Sequence, residues 1–216
     1  VVAVLESDYL TQGLKVPEFE RAIATKCGAQ HGVAANSATS ALHIAYLALG
    51  IGPSSTVWTS PITFVATTNA ALMCGAKVDF VDVDAQTNNM CPKALAEKLA
   101  EAKKNGTLPD LVVPVHLSGQ SCLMKDIHAL SKTYGFKIVE DASHAIGAKY
   151  RGNWVGCCEF SEITVFSFHP VKIITTGEGG VALTNDRKLA HRMATLRSHG
   201  ITRRQEEMSK VADGPW

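Results

Sequence analysis

Apolar runs of strand length recur along the chain, and most are separated from the one before by a stretch with helical spacing. This alternation restricts the fold more than any other feature. Thr56-Val-Trp-Thr59, Lys77-Val-Asp-Phe-Val-Asp-Val-Asp84, Leu111-Val-Val-Pro-Val-His116, Phe136-Lys-Ile-Val-Glu-Asp141, Ile163-Thr-Val-Phe-Ser-Phe168 and Gly180-Val-Ala-Leu-Thr184 read as strands. Helices are expected from Phe64 to a stop at Gly75, from Pro92 to Lys103 with a charged outer face, and from Lys125 to Tyr134, closed by Gly135. Two more precede them. One has Pro17 in its first turn and ends at Gly28; the other begins near Ser37 to Thr39 and carries Leu42, Ala45, Tyr46 and Leu49 at helical spacing. Residues 1–16 read as an extended or loop segment. Strands alternating with helices in this way predict an α/β fold with a mostly parallel sheet covered on both faces.

A length of 216 residues suits one domain with a substantial core, since domains commonly run to roughly 100 to 200 residues. Charge is balanced, 21 Lys and Arg against 20 Asp and Glu, so nothing in the totals points to nucleic acid or an acidic membrane surface as a partner. No apolar run approaches the roughly 18 residues needed to span a bilayer, and the start of the chain has no basic region followed by a hydrophobic one. The six cysteines show no C-x-x-C spacing, and the neighbours Cys157 and Cys158 suit neither a structural disulfide nor a zinc pair. A soluble protein of a reducing cytoplasm is expected. The chain opens without methionine and closes on Asp213-Gly-Pro-Trp216, a turn signal, so a fragment of a longer protein is expected.

In sheets of this class ligands bind beyond the carboxyl ends of the strands. His116, Asp141 with His144, and Ser167 with His169 all lie at or just past such an end. Next to them, Lys172 sits among Val171, Ile173 and Ile174. That apolar setting would desolvate the amine and favour its neutral, nucleophilic form, able to make a Schiff base with a carbonyl. A solitary lysine at a strand end more often snorkels to solvent. Asp141 alone could equally cap a helix, or pair with a pyridinium nitrogen and so keep an aromatic ring electron-accepting. The small residues at Asn36-Ser-Ala-Thr-Ser40 begin a helix whose unpaired N–H groups would suit a phosphate, although an ordinary capped helix starts the same way.

The run Thr164-Val-Phe-Ser-Phe-His-Pro-Val-Lys-Ile-Ile-Thr-Thr-Gly-Glu-Gly-Gly180 closely resembles the lysine segment of the DegT/StrS-type sugar aminotransferases, which use pyridoxal 5'-phosphate. Glu140-Asp-Ala-Ser-His-Ala145 is similar to a second signature of that family. The resemblance covers almost the whole chain. It implies the large domain of a fold type I transferase, with a seven-stranded, mostly parallel sheet between helices. The expected division is an N-terminal segment at 1–16, a cofactor-binding domain at 17–200 and, at 201–216, the start of a connection to a C-terminal region that includes the small domain. It also implies roles: Lys172 forms the Schiff base and moves protons, Asp141 meets the pyridine nitrogen, and His144 lies near the cofactor's phenolic oxygen. Phe64 stacks on the ring, while Ala38, Thr39 and Ser167 hold the phosphate. No metal is implied.

By the same resemblance, an amino group passes from L-glutamate to the keto carbon of a nucleotide-linked 4-keto-6-deoxy sugar, in a homodimer with shared active sites. In the family an asparagine beyond position 216 crosses to the partner's phosphate, so weak cofactor binding is expected of these 216 residues. Leu196-Arg-Ser-His-Gly-Ile-Thr202 and Asp213-Gly-Pro-Trp216 look most like the enzymes that aminate a UDP-linked sugar on the route to pseudaminic acid, with the lipid A aminoarabinose enzymes close behind. Thr11, Gln12 and Lys15 are candidates for substrate contact. Three rivals stand beside this reading. Sugar dehydratases of the same family carry histidine in place of the lysine; a relative could keep the cofactor for a regulatory task; His116, Asp141, His144 and His169 could hold a hydrolytic metal.

Overall fold

A computed structural model describes residues 1–202 and 204–208. The Asp213-Gly-Pro-Trp216 turn and most of the connection expected over 201–216 lie outside the described residues. Within 1–16 the chain is not uniformly extended. Val2–Leu5 form one helical turn (α1), and α2 (Lys15–Cys27) begins two residues before Pro17, which occupies its first turn. The chain then reverses at Gly28, whose left-handed φ of 79° ends α2 where a side chain would be strained. β1 (His31–Ala35) follows and leads into α3 (Ala38–Ala48).

Thereafter strands and helices alternate as the apolar pattern requires: β2 (Thr56–Thr59), α4 (Ala66–Met73), β3 (Lys77–Phe80), α5 (Pro92–Asn105), β4 (Leu111–Val113), α6 (Met124–Tyr134) and β5 (Lys137–Asp141). A small hairpin, β6 (Lys149–Tyr150) with β7 (Asn153–Trp154), precedes β8 (Ile163–Ser167), β9 (Gly180–Thr184) and α7 (Arg187–Arg197). Three elements are shorter than the periodicity suggests. α4 starts at Ala66 rather than Phe64, β3 stops at Phe80, and β4 stops before Pro114, whose ring nitrogen cannot donate to a ladder. β1, the hairpin and α7 had no clear pattern of their own.

Seven strands form one sheet in the order β1-β9-β8-β5-β4-β2-β3. Only β9 runs against the rest, antiparallel to both β1 and β8. The reason lies in its connection: residues 168–179 contain no helix to carry the chain back across a face, so β8 and β9 pair as a hairpin. Successive residues of the central strands serve opposite faces. Leu111, Val113 and Val139 pack under α3, α4 and α7, whereas Val112 and Ile138 pack under α5 and α6. A third group, with Phe166, Phe168, Val181 and Leu183, lies against α2. All residues of β4, β8 and β9 are buried, which is why these segments read as unbroken apolar runs. Each fully buried leucine or isoleucine contributes about 2 kcal/mol, so the sheet is a stiff base for whatever stands at its carboxyl edge.

Candidate active site

A cavity of about 340 Å3 opens beyond the carboxyl ends of β4, β5 and β8, and the first residues of α3 and the entry to α4 complete its lining. Its size falls in the usual small-molecule range of roughly 300 to 1,000 Å3. Ala38, Thr39, Phe64, Asp141, His144, Ser167 and Lys172 all line it, brought from separate stretches of the chain. Thr11, Gln12 and Lys15 do not. Lys15 pairs with Glu18 at 2.7 Å on the first turn of α2.

Asp141 is the last residue of β5 and is 4% exposed. The chain turns immediately after it without forming a helix, so the carboxyl group caps nothing. Its Oδ2 accepts the Thr67 hydroxyl at 2.7 Å, and its Oδ1 accepts the Ser143 hydroxyl at 2.6 Å and the Ser143 N–H at 3.2 Å. Thr67 is fully buried on α4, one turn after Phe64. The Phe64 ring is 71% exposed at the cavity, an unusual place for a residue type that normally fills a core.

At the start of α3, the Ser37 hydroxyl caps the helix by accepting the Ser40 N–H, and the Ala41 N–H is taken by the Ser37 carbonyl. The Ala38 and Thr39 N–H groups have no protein acceptor among the described residues. Two unmet donors at the positive end of an 11-residue helix are suited to an anion, and the buried Ser167 hydroxyl joins them on the cavity. Gly180 makes this assembly possible. A Cβ there would collide with the backbone of Ser37 and Ala38, so only glycine lets β9 start this close to α3.

Lys172 belongs to the loop 168–179, closed at its base by Phe168. The Phe168 N–H donates to Gly179, and its carbonyl accepts from the Thr176 N–H and the Thr175 hydroxyl. The setting differs from the one the sequence suggests. Val171, Ile173 and Ile174 are 78%, 67% and 48% exposed and do not bury the amine; of the three only Val171 lines the cavity. Burial against the cavity wall nevertheless pushes Lys172 below the ordinary lysine range, with the negative charge of Asp141 opposing the shift. His144 is also held below its usual range, first by burial and then by the Lys172 charge, again opposed by Asp141. Its Nδ1 accepts the Ser118 N–H at 3.3 Å.

The other two histidines are differently engaged. His116 is fully buried. Its Nε2 lies 2.7 Å from Glu140 Oε2 and its Nδ1 accepts the Cys122 N–H at 3.2 Å, so both ring nitrogens are taken by the protein. His169 stands at the rim, with Nδ1 accepting the Val171 N–H and Nε2 3.8 Å from Glu178. A metal would have to displace these partners, and no cluster of three His, Cys, Asp or Glu side chains suited to a metal occurs among the described residues. The sequence reading passed over Thr67, Ser143 and Ser118. Thr67 carried a usable signal, since it follows Phe64 by three positions in a stretch whose pattern is helical.

Residues 1–213 match the profile of the DegT/DnrJ/EryC1/StrS aminotransferase family. Among curated relatives, the UDP-4-amino-4,6-dideoxy-N-acetyl-beta-L-altrosamine transaminase of Campylobacter jejuni is 44% identical over 203 residues, covering 93% of this chain and 52% of the relative. The UDP-4-amino-4-deoxy-L-arabinose–oxoglutarate aminotransferase of Shewanella sediminis is 40% identical over 201 residues, covering 93% and 50%. Helicobacter pylori PseC, an aminotransferase of pseudaminic acid biosynthesis, superposes with a TM-score of 0.86 at 35% identity, over 94% of this chain and 53% of that one. The chain thus spans about half the length of the relatives it matches.

Proposed function

This chain belongs to the DegT/DnrJ/EryC1/StrS aminotransferase family, and from that premise we propose that its cavity is the pyridoxal 5'-phosphate site of a nucleotide-sugar transaminase. The observation that carries the proposal is the meeting of Lys172 and the buried Asp141 on one cavity with two unmet N–H donors. The donor set fits the cofactor. Ala38, Thr39 and Ser167 offer hydrogen bonds to a phosphate, Gly180 lets β9 pack against the helix start that carries the first two, and Phe64 supplies a flat wall. Asp141, with Thr67 and Ser143 fixing its oxygens, would hold the ring nitrogen.

When bound, pyridoxal 5'-phosphate supplies an aldehyde carbon for amine exchange and a ring that accepts electrons. The residues do the rest. Partial burial lowers the cost of a neutral Lys172 amine, so Nζ gives up a proton more readily than an ordinary lysine and can take it back, which suits a general acid and base. His144, kept neutral by its surroundings, can donate one hydrogen bond into the cavity without adding charge. Asp141 stays in place because three donors from Thr67 and Ser143 leave it no other geometry.

The proposed reaction passes the amino group of L-glutamate to the keto carbon of a nucleotide-linked 4-keto-6-deoxy sugar, in the cytoplasm, with residues 17–200 as the cofactor-binding domain. The apolar side chains Phe64 and Val171 line the cavity yet are more than half exposed, and Val65, beside Phe64 in the chain, is 54% exposed. A second copy covering them would make the homodimer and exclude water from the site. Adding pyridoxal 5'-phosphate to this chain should produce a visible absorption band that L-glutamate bleaches and that Lys172→Ala lacks. A band that survives Lys172→Ala would overturn the proposal.

A further inference from the structure

The turn at residues 117–120 lies directly against His144. Ser118 has a left-handed φ of 53° and Gly119 one of 87°, and a Cβ on Gly119 would come within 2.8 Å of the His144 carbonyl oxygen. A non-glycine residue adopts that conformation at a cost, so something must hold Ser118 there. The holder comes from elsewhere in the chain. Asn89 is 4% exposed; its Oδ1 accepts the Leu117 N–H at 3.1 Å and its Nδ2 donates to the Gln120 carbonyl at 2.9 Å. One carboxamide therefore grips the turn at both ends, which needs an acceptor and a donor on the same short side chain. Asn89 is itself anchored, its carbonyl accepting the Asp84 N–H at 2.8 Å.

We infer that Asn89 is a positioning residue for His144: by fixing the 117–120 turn it presents the Ser118 N–H to His144 Nδ1 and so aims the ring into the cavity. With Nδ1 engaged as an acceptor, the proton of the neutral ring resides on Nε2, and Nε2–H becomes the group His144 offers to a ligand. The segment between β3 and α5 thereby sets the direction of a hydrogen bond in the site without touching the cavity. The inference rests on the reading of the cavity as the cofactor site.

Amide exchange and His144 ring nitrogen shifts, measured by NMR on this chain without cofactor, test it separately from function. In the wild-type chain His144 should show an unprotonated Nδ1 and a slowly exchanging Ser118 amide. Asn89→Ala should speed Ser118 exchange roughly tenfold and move the His144 ring shifts, and His144→Gln should speed the same amide. Combining the two substitutions should add little, as expected for one coupled unit. Asn89→Asp, which keeps the acceptor but not the donor, should fall between, and it decides the matter if Asn89→Ala does not fold. A wild-type ring protonated on Nδ1, or Ser118 exchange and His144 shifts indifferent to Asn89, would overturn the inference. A pyridoxal 5'-phosphate band without the Asn89 effect refutes only the inference. The Asn89 effect without any band refutes only the functional reading.

Discussion

The Thr67 hydroxyl stands 2.7 Å from Asp141 Oδ2, joining α4 to the end of β5 through a side-chain hydrogen bond between fully buried and nearly buried groups. The same threonine lies one turn along from Phe64, and its hydroxyl is also 2.8 Å from that of Thr63. The Phe64 carbonyl is a further acceptor within reach of both hydroxyls, at 3.2 Å from that of Thr67 and 3.3 Å from that of Thr63.

Thr67→Val keeps the shape and removes this donor. The Asp141 oxygen then stays buried with one partner fewer, a loss of about 2 kcal/mol for a hydrogen bond to a charged group. Urea unfolding should show it as a lower midpoint with an unchanged slope. Pyridoxal 5'-phosphate affinity should fall as well, and Thr67→Ser should recover both. Full affinity in Thr67→Val would mean that Asp141 needs no such support.

Much of this arrangement is legible in the sequence because strand ends are marked by a change from apolar to polar residues. Val139-Glu-Asp141 and Phe166-Ser167 each announce where the core stops, and the parallel sheet then places those ends on one edge. What was not legible depends on contacts distant in sequence. β1 is a strand because β9 pairs with it, and its Gly32 and Ala34 carry little pattern of their own. The exposed Ile173 and Ile174 mimic a buried strand locally, whereas they lie in a loop that closes at Phe168. His116 shares the strand-end position of Asp141 yet is spent on Glu140, a pairing visible only once β4 and β5 are side by side.

The pH behaviour of His144 should report the charge on Lys172. Burial and then the Lys172 ammonium keep the His144 pKa below its ordinary value, while Asp141 raises it. Lys172→Met removes the like charge, so the His144 titration midpoint, followed by NMR, should rise. Linkage fixes the sign for stability. With the folded pKa below the unfolded one, the unfolded chain binds more protons between the two, so the stability owed to His144 grows as pH rises through that window and is least below it. The substitution narrows that window. A midpoint that fell instead would show that Lys172 does not act on His144 through its charge.

Gly180→Ala tests the contact between β9 and α3. The added methyl would meet backbone atoms of Ser37 and Ala38, which cannot rotate away as a side chain could. Either β9 or the helix start must shift, and the expected loss is about 3 kcal/mol by urea unfolding. The same shift spreads the Ala38 and Thr39 N–H groups, so inorganic phosphate should lose whatever affinity it has for the wild-type cavity. An unaltered midpoint would show that the strand start can yield without cost.

The buried pair behind the site should matter for stability and not for the direction of chemistry. Glu140 is 5% exposed and accepts hydrogen bonds from His116, Ser161 and Thr164. Burial works against its charge, but these donors, His116 foremost, prevail and keep the carboxyl below the usual glutamate range. Its contribution is therefore present above the ordinary carboxylate pKa and is lost as pH falls through the lower folded value. Glu140→Ala strands the buried donors His116 and Thr164 and the half-buried Ser161 at once and should cost about 3 kcal/mol at neutral pH. Glu140→Gln, which still accepts from two of them, should cost less and should flatten the fall in stability on acidification. If both variants unfold at the wild-type urea midpoint at neutral pH, water must reach this pocket and the pair does not hold β4 to β5.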